Sequence, residues 1–178
     1  QTADSQLSNP NNAAQIISWH LDKVLDTHGV FWTVAYFKQP ITQSSIGELK
    51  GSDIYPLNIA YSQGAGLNCN GNTNGYTFCR NIYFTYGLKP YDYPVNYSSG
   101  GRITTYNQLL GVTIRYVGNY SSALVRKYNL GYTLLSAASG RGGTQENLLT
   151  SVTEVGADGV TGLPATTFTY NSDTNGAN

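Results

Sequence analysis

Leu110-Gly111-Val112-Thr113-Ile114-Arg115-Tyr116-Val117 alternates apolar with small or polar side chains at every second position. Leu110, Val112, Ile114 and Tyr116 therefore share one face of an extended chain, because successive strand side chains point to opposite sides. The same wording recurs on both sides of this stretch. Toward the C-terminus, Leu124 to Leu134 and Leu149 to Val155 alternate, and Thr166-Thr167-Phe168-Thr169-Tyr170 closes the series. Toward the N-terminus come Asn81 to Tyr86, Ile54 to Tyr61, and Phe31 to Phe37. Pro56 has no N–H to give a ladder, so its strand is expected at an edge or a bulge. Turn-prone pieces lie between the runs: Thr27-His28-Gly29, Gly64 to Gly75, Tyr97 to Gly101, Ser139 to Gly143, and Asp158-Gly159. Seven or more strands joined by such turns predict an all-β fold, with twisted antiparallel strands forming a β-sandwich or an open wall.

The composition narrows the class. The 178 residues include fifteen tyrosines and twenty glycines, no methionine, and ten basic residues against ten acidic ones. That length suits one domain with a sizeable core, and the aromatic and β-branched content separates the chain from disordered segments. A balanced charge provides no field to draw in nucleic acid. No run approaches 18 apolar residues, so no membrane-spanning helix is expected. A surface wetted by amides and hydroxyls reads as extracellular or cell-surface, with QTADSQLSNPNNAAQ as a mature end left by signal removal. Cys69 and Cys79 flank a Gly/Asn-rich segment. In an oxidising compartment they are expected to bridge, which stabilises by roughly 2–3 kcal/mol through the short closed loop. Two unconnected thiols are the alternative, and a zinc site lacks a second Cys or His pair at ligand spacing. Asn96-Tyr97-Ser98 and Asn119-Tyr120-Ser121 match the glycosylation sequon, but in a chain this rich in Asn such matches arise by chance.

One stretch points two ways. In Ala14 to Leu25, Ile17, Leu21, Val24 and Leu25 fall three and four apart, and Asn12 is placed to cap a helix. Periodicity alone predicts a helix here.

The order of motifs from residue 19 to 170 resembles the middle segment of Tc-toxin B components and related SpvB/RHS-type proteins. The residues that carry the likeness begin with Trp19-His20-Leu21, Val24 and Asp26-Thr27-His28-Gly29, followed by the aromatic run Trp32 to Phe37. Ile59-Ala60-Tyr61 and Tyr83-Phe84-Thr85-Tyr86 come next, then Arg126 to Tyr132 with Tyr128, Leu130 and Tyr132. Leu149 to Glu154, Asp158-Gly159 and the ending Leu163-Pro164-Ala165-Thr166-Thr167-Phe168-Thr169-Tyr170 complete it. The chain departs where Val30 follows the hairpin glycine in place of asparagine and Ala165 replaces a second proline. The repeats that build the rest of an RHS shell are absent, with only Tyr91-Asp92 followed by Gly100-Gly101-Arg102 echoing them. The resemblance implies strand rather than helix for Ala14 to Leu25, an RHS-shell-like wall, and a structural, non-catalytic role.

Candidate chemistry is sparse. His20 and His28, with Asp22 and Asp26, are the residues from which a metal site would be built, and a turn plus a strand face accounts for them equally well. Glu146, Glu154 and Asp158 are the candidate glycosidase carboxylates. No Gly-x-Ser-x-Gly elbow frames a serine. Gly140-Arg141-Gly142-Gly143 is a candidate anion cradle, and Asp158-Gly159 with Asp173 is a calcium fragment without the twelve-residue ligand spacing. Tyr83, Tyr86, Tyr91, Tyr93, Tyr97 and Tyr106 suit cross-strand packing, or a sugar-binding platform. No catalytic residue, metal or cofactor is assigned.

The expected organisation is an extended arm over 1–15, a single β-rich domain over 16–170, and a polar tail over 171–178. The arm is expected to add a strand to a neighbouring copy, making the chain a self-assembling secreted filament or surface subunit. A wall segment of a larger toxin or adhesin shell and a carbohydrate-binding module, with surface glycans as partners, are the alternatives.

Overall fold

The computed structural model of the chain describes residues 2–38, 42–43, 49–63, 79–90, 93–97, 100–118, 121–135 and 146–170. Among the described residues a short 3-10 turn, Ala3–Ser5, precedes fourteen strands. They are β1 (Gln6–Asn9), β2 (Asn12–Trp19), β3 (Lys23–Leu25), β4 (Phe31–Lys38), β5 (Thr42–Gln43), β6 (Leu49–Ser52) and β7 (Ile54–Gln63). Then follow β8 (Cys79–Leu88), β9 (Val95–Asn96), β10 (Arg102–Thr104), β11 (Asn107–Gly118), β12 (Ser121–Leu135), β13 (Glu146–Val155) and β14 (Thr166–Thr167). The all-β expectation holds.

Eight strands form one open antiparallel sheet in the order β14-β13-β12-β11-β8-β7-β4-β3. Four short strands make a second sheet, β5-β6-β10-β9, in which β10 runs parallel to β6; β1 and β2 form a separate hairpin. Register across the large sheet turns the sequence alternation into two faces. Val34, Ile59, Ile82 and Ile114 lie in one row, and Phe84, Val112 and Tyr128 in the next. Leu130 and Val152 extend that face. The row Ala35, Asn58, Tyr83, Thr113 and Lys127 lies on the opposite face, which is far more polar. Of the nine apolar side chains on the first face, only Val34 is buried and the other eight are half-buried. A second layer packed over the sheet would have buried them all.

The densest packing lies elsewhere, where the hairpin and the small sheet meet the start of β7 and β11. Ile54, Tyr55, Ile103, Thr104, Asn107, Ser5 and Asn9 are buried there. The Asp53 amide donates to the Thr104 carbonyl at 3.2 Å, and the Asn107 amide donates to the Tyr55 hydroxyl at 3.2 Å. Gly101 lies so close to the hairpin turn that an added Cβ would come within 2.5 Å of Pro10 Cγ. Phe37, Tyr55 and Tyr86 add an aromatic cluster, with ring centroids 5.1 to 5.5 Å apart.

The stretch with helical spacing is strand, as the family resemblance implied: β2 and β3 with a break at residues 20–22. Pairing with β1 and β4 satisfies its backbone, and the Val34 amide donates to the Asp22 carbonyl at the break, at 2.9 Å. Non-local pairing overrides the local period. Pro56 is at a bulge, not an edge: β7 is an interior strand, and its register against β4 slips beside Pro56. Residues 6–9, inside the stretch expected as a free arm, pair with β2 of their own chain. Cys69 of the expected Cys69–Cys79 bridge, the Gly140–Gly143 cluster, Tyr91, Asp92, Asp173 and the tail 171–178 lie outside the described residues.

Candidate functional site

The residues singled out in the sequence fall into turns, edges and one cleft. Asp26 and Asp158 do the same work at two places. Asp26 Oδ1 accepts the amides of His28 and Val30, both at 2.8 Å, and Asp158 Oδ1 accepts those of Val160 and Thr161. A glycine with positive φ follows each, Gly29 at 80° and Gly159 at 75°, where a Cβ would be strained. The Thr161 hydroxyl donates to the Asp158 carboxylate, and with the two amides it holds that carboxyl below its ordinary value.

The four candidate metal ligands are spent separately. His20 packs tilted against Tyr36, with ring centroids 5.5 Å apart, and its Nε2 lies 3.2 Å from Ser18 Oγ. His28 sits exposed in the β3–β4 turn, and Asp22 accepts the Thr2 amide at 2.6 Å. Among the described residues no three His, Cys, Asp or Glu side chains come together. Of the three candidate glycosidase carboxylates, Glu154 and Asp158 line one cavity of about 410 Å³, where Asp158 is held by the Val160 and Thr161 amides, and Glu146 is remote. Glu146 and Glu154 stand at opposite ends of β13; eight residues at about 3.3 Å each separate them by roughly 26 Å, far beyond the ~5–9.5 Å that glycoside hydrolysis uses. Glu154 instead pairs with Arg126 at 3.1 Å.

Both flanks of the large sheet, β13 and β4, are partly covered by the chain itself. Residues 162–170 run back along β13: Gly162 bridges to Val155, and the Leu163 amide donates to the Glu154 carbonyl at 2.9 Å. β14 pairs with Ser151 and Val152, the Phe168 amide donates to the Thr150 carbonyl, and the Tyr170 hydroxyl donates to the Leu149 carbonyl at 2.7 Å. The motif ending Leu163 to Tyr170 is thus an edge strap. On the far side, β3 covers only the first part of β4. Beyond it, the Val34 amide is taken by the Asp22 carbonyl and the Tyr36 amide by the Asp4 carboxylate at 3.0 Å. Burial raises the Asp4 carboxyl, but hydrogen bonds from Thr2 and Tyr36 outweigh it and leave it below its ordinary value. Lys38 Nζ clamps the same N-terminal segment through the carbonyls of Ala3 and Gln6, at 2.9 and 2.8 Å. Sequence reasoning missed Asp4 and Lys38, because their partners are backbone groups roughly thirty residues away.

Trp19 and Leu21 are exposed on the hairpin side, and Tyr132 donates its hydroxyl to the Leu109 carbonyl at 2.7 Å. Tyr93 and Tyr106 pair at 5.7 Å, and Tyr86 belongs to the aromatic cluster, where burial and then the neighbouring Tyr55 push its hydroxyl up to about 12. A cleft of about 340 Å³ opens between the hairpin and the small sheet, lined by Leu7, Ser18, His20, Asp53, Asn96 and Thr105 among others. Its Asp53 carboxylate is engaged by the Ile54 amide and the Thr105 hydroxyl. These are holding interactions. The arrangement provides partly covered edges, clamped turns and a half-buried apolar face that also carries the Arg126–Glu154 pair.

No protein-family profile and no curated protein matches the chain. Solved structures do. The chain is similar to the crystal structure of TcdB2-TccC3-TEV over 96% of its length, with a TM-score of 0.66 and 16% identity. It is similar to TcdB2-TccC3-Cdc42 over 96%, at 0.65 and 15%, and to TcdB2-TccC3 over 92%, at 0.61 and 16%. It spans only 9 to 10% of the length of those chains. At such identity the likeness is one of fold, and at that level the resemblance drawn from the order of motifs holds.

Proposed function

We propose that this chain is a non-catalytic structural module, a wall segment of a larger Tc/RHS-type extracellular shell of the toxin or adhesin kind. The observation that carries the reading is the fold match over 92 to 96% of this chain to about a tenth of much longer ones. The commitment of Asp22, Asp26, Glu154 and Asp158 to turns, an ion pair and strand edges supports it. The alternative of a separate filament subunit joined through residues 1–15 loses support, because Gln6–Asn9 already pairs within its own chain. A Cys69–Cys79 bridge belongs to the proposal as a clasp suited to an oxidising exterior.

The test is the mass of the native protein, captured from its source with an antibody to this chain and read by intact-mass spectrometry. A wall segment is recovered as part of a polypeptide several-fold heavier than 19.3 kDa. Recovery of a mature 19.3 kDa species overturns the reading and returns the separate-subunit alternative.

A further inference from the structure

Past Phe31, Trp32 and Thr33, which β3 pairs, the outer side of β4 has no strand beside it among the described residues. The N-terminal segment covers it instead, with side chains in place of a ladder. The Tyr36 amide faces outward there and donates to Asp4 Oδ2 at 3.0 Å. A carboxylate thus stands where a neighbouring strand would put a carbonyl. Asp22, at the break between β2 and β3, holds the start of the segment: its Oδ2 accepts the Thr2 amide at 2.6 Å and the Thr2 hydroxyl at 3.3 Å. Other ties on the segment involve no carboxyl. The His20 amide donates to the Ser5 carbonyl at 2.8 Å, Lys38 Nζ donates to the carbonyls of Ala3 and Gln6, and Gln6–Asn9 pairs with β2. We propose that Asp4 is an acid-released latch: its protonation frees the Tyr36 amide and lets Thr2 to Asp4 swing off the edge of β4, while the segment from Ser5 onward stays in place.

Protonation removes the charge that strengthens the bond from the Tyr36 amide, and it turns one of the two accepting oxygens into a donor. The groups that face Asp4 are the Tyr36 amide, the Thr2 hydroxyl and the Lys38 ammonium, and all three favour the ionised carboxylate. Around them lie Asp22 and Lys23, which line the same groove of about 550 Å³, and His20, which packs on the Tyr36 ring. The Tyr36 hydroxyl is bonded to the Leu21 carbonyl, and burial raises it above 10.0, so it stays neutral in acid. The Asp4 carboxyl lies below its ordinary value of 3.8; the latch is therefore fully closed above that value and opens as pH falls through the folded one. The Thr2 amide holds the Asp22 carboxyl below its ordinary value as well, so the second catch opens in the same direction. Opening leaves the outward amide of Tyr36 as bare strand edge. The latch does not depend on the shell-wall reading, and the two are tested separately.

The experiment is proton–nitrogen NMR on the isotope-labelled 178-residue chain, from about pH 7 to about pH 2, reading amide shifts and hydrogen-exchange protection corrected for the intrinsic pH dependence of exchange. The Tyr36 amide is expected to shift in one step with a midpoint below 3.8 and to lose about tenfold in protection, while the His20 and Ile114 amides keep theirs. Asp4→Asn, read at about pH 7, is expected to show the same loss at Tyr36 and no acid step, which gives the answer even if the whole sheet unfolds in acid. His20→Gln is expected to keep the step. The proposal is overturned by a Tyr36 amide that stays protected in both acid and Asp4→Asn, or by a step that survives Asp4→Asn or vanishes in His20→Gln. It is equally overturned if His20 loses protection together with Tyr36 while Ile114 keeps its own, because the hairpin and not the latch has then opened.

Discussion

Replacing Tyr55 by Phe removes one oxygen atom from the most tightly packed part of the molecule. Tyr55 and Asn107 are 6% and 7% exposed, and the Asn107 amide donates to the Tyr55 hydroxyl across a separation of 52 residues. The Phe ring keeps the stacking on Phe37 at 5.1 Å and the contact with Tyr86 at 5.4 Å, so the substitution isolates the hydrogen bond. A neutral bond contributes about 0.5–1.5 kcal/mol net, and depriving a buried donor of its partner costs about 1–3 kcal/mol. The variant is therefore expected to lose about 1–2 kcal/mol, which for a chain of this length lowers Tm by about 2–8 °C. Tyr55→Leu also removes both ring contacts, worth about 0.5–1.5 kcal/mol each, and is expected to fall further. Urea unfolding followed by circular dichroism measures both, with Tyr170→Phe as the control. That hydroxyl too bonds to the backbone, donating to the Leu149 carbonyl, but from an exposed position, and its loss is expected to stay within about 0.5 kcal/mol. If Tyr55→Phe unfolds with the wild-type midpoint and slope, the bond does not hold the start of β7 to the start of β11 and the account of this joint is wrong.

Three other outcomes are expected. Gly29→Ala forces a side chain to φ near 80° with no neighbour within 4 Å, so it should cost about 1–2 kcal/mol from the backbone alone, read as a lower urea midpoint. Lys38→Met removes both clamps on the N-terminal segment; amides 2–9 should exchange with deuterium faster while the β11–β12 amides keep wild-type protection. Tyr86 should be among the last tyrosines to ionise in an absorbance titration, near pH 12, and the late step should disappear in Tyr86→Phe. Its folded value lies above the ordinary value of 10.0, so its contribution to stability is complete below pH 10 and is lost as pH rises toward 12.

The strands were legible because their signal is local. Phe31 to Phe37, Leu110 to Val117 and Leu149 to Val155 each carry the period-two pattern within themselves, and Asp26 to Gly29 and Asp158-Gly159 carry their own turn chemistry. The residues from Ile17 to Leu25 were not legible in this way. Two short strands meeting at a break imitate a helical period, and only pairing with β1 and β4 distinguishes them. Pro56 was half legible: its missing N–H required an irregular position, but whether that was an edge or a bulge depended on where β4 and β8 lay.

The sequence by itself determined that the chain is built of strands, which side chains share a face within each strand, and where several of the turns fall. All of these follow from alternation, β-branching and turn residues acting over a few positions. Tertiary structure alone decided the order of the eight strands, the parallel pairing of β10 with β6, the clamping of the N-terminal segment by Asp4 and Lys38, and the strapping of β13 by residues 162–170. These join groups up to roughly fifty residues apart, and a backbone carbonyl that accepts such a bond looks the same in the sequence as any other. The apolar face belongs to both levels. Every member is visible in its own strand, but the register that aligns Val34, Ile59, Ile82 and Ile114 into one row exists only once the sheet has formed.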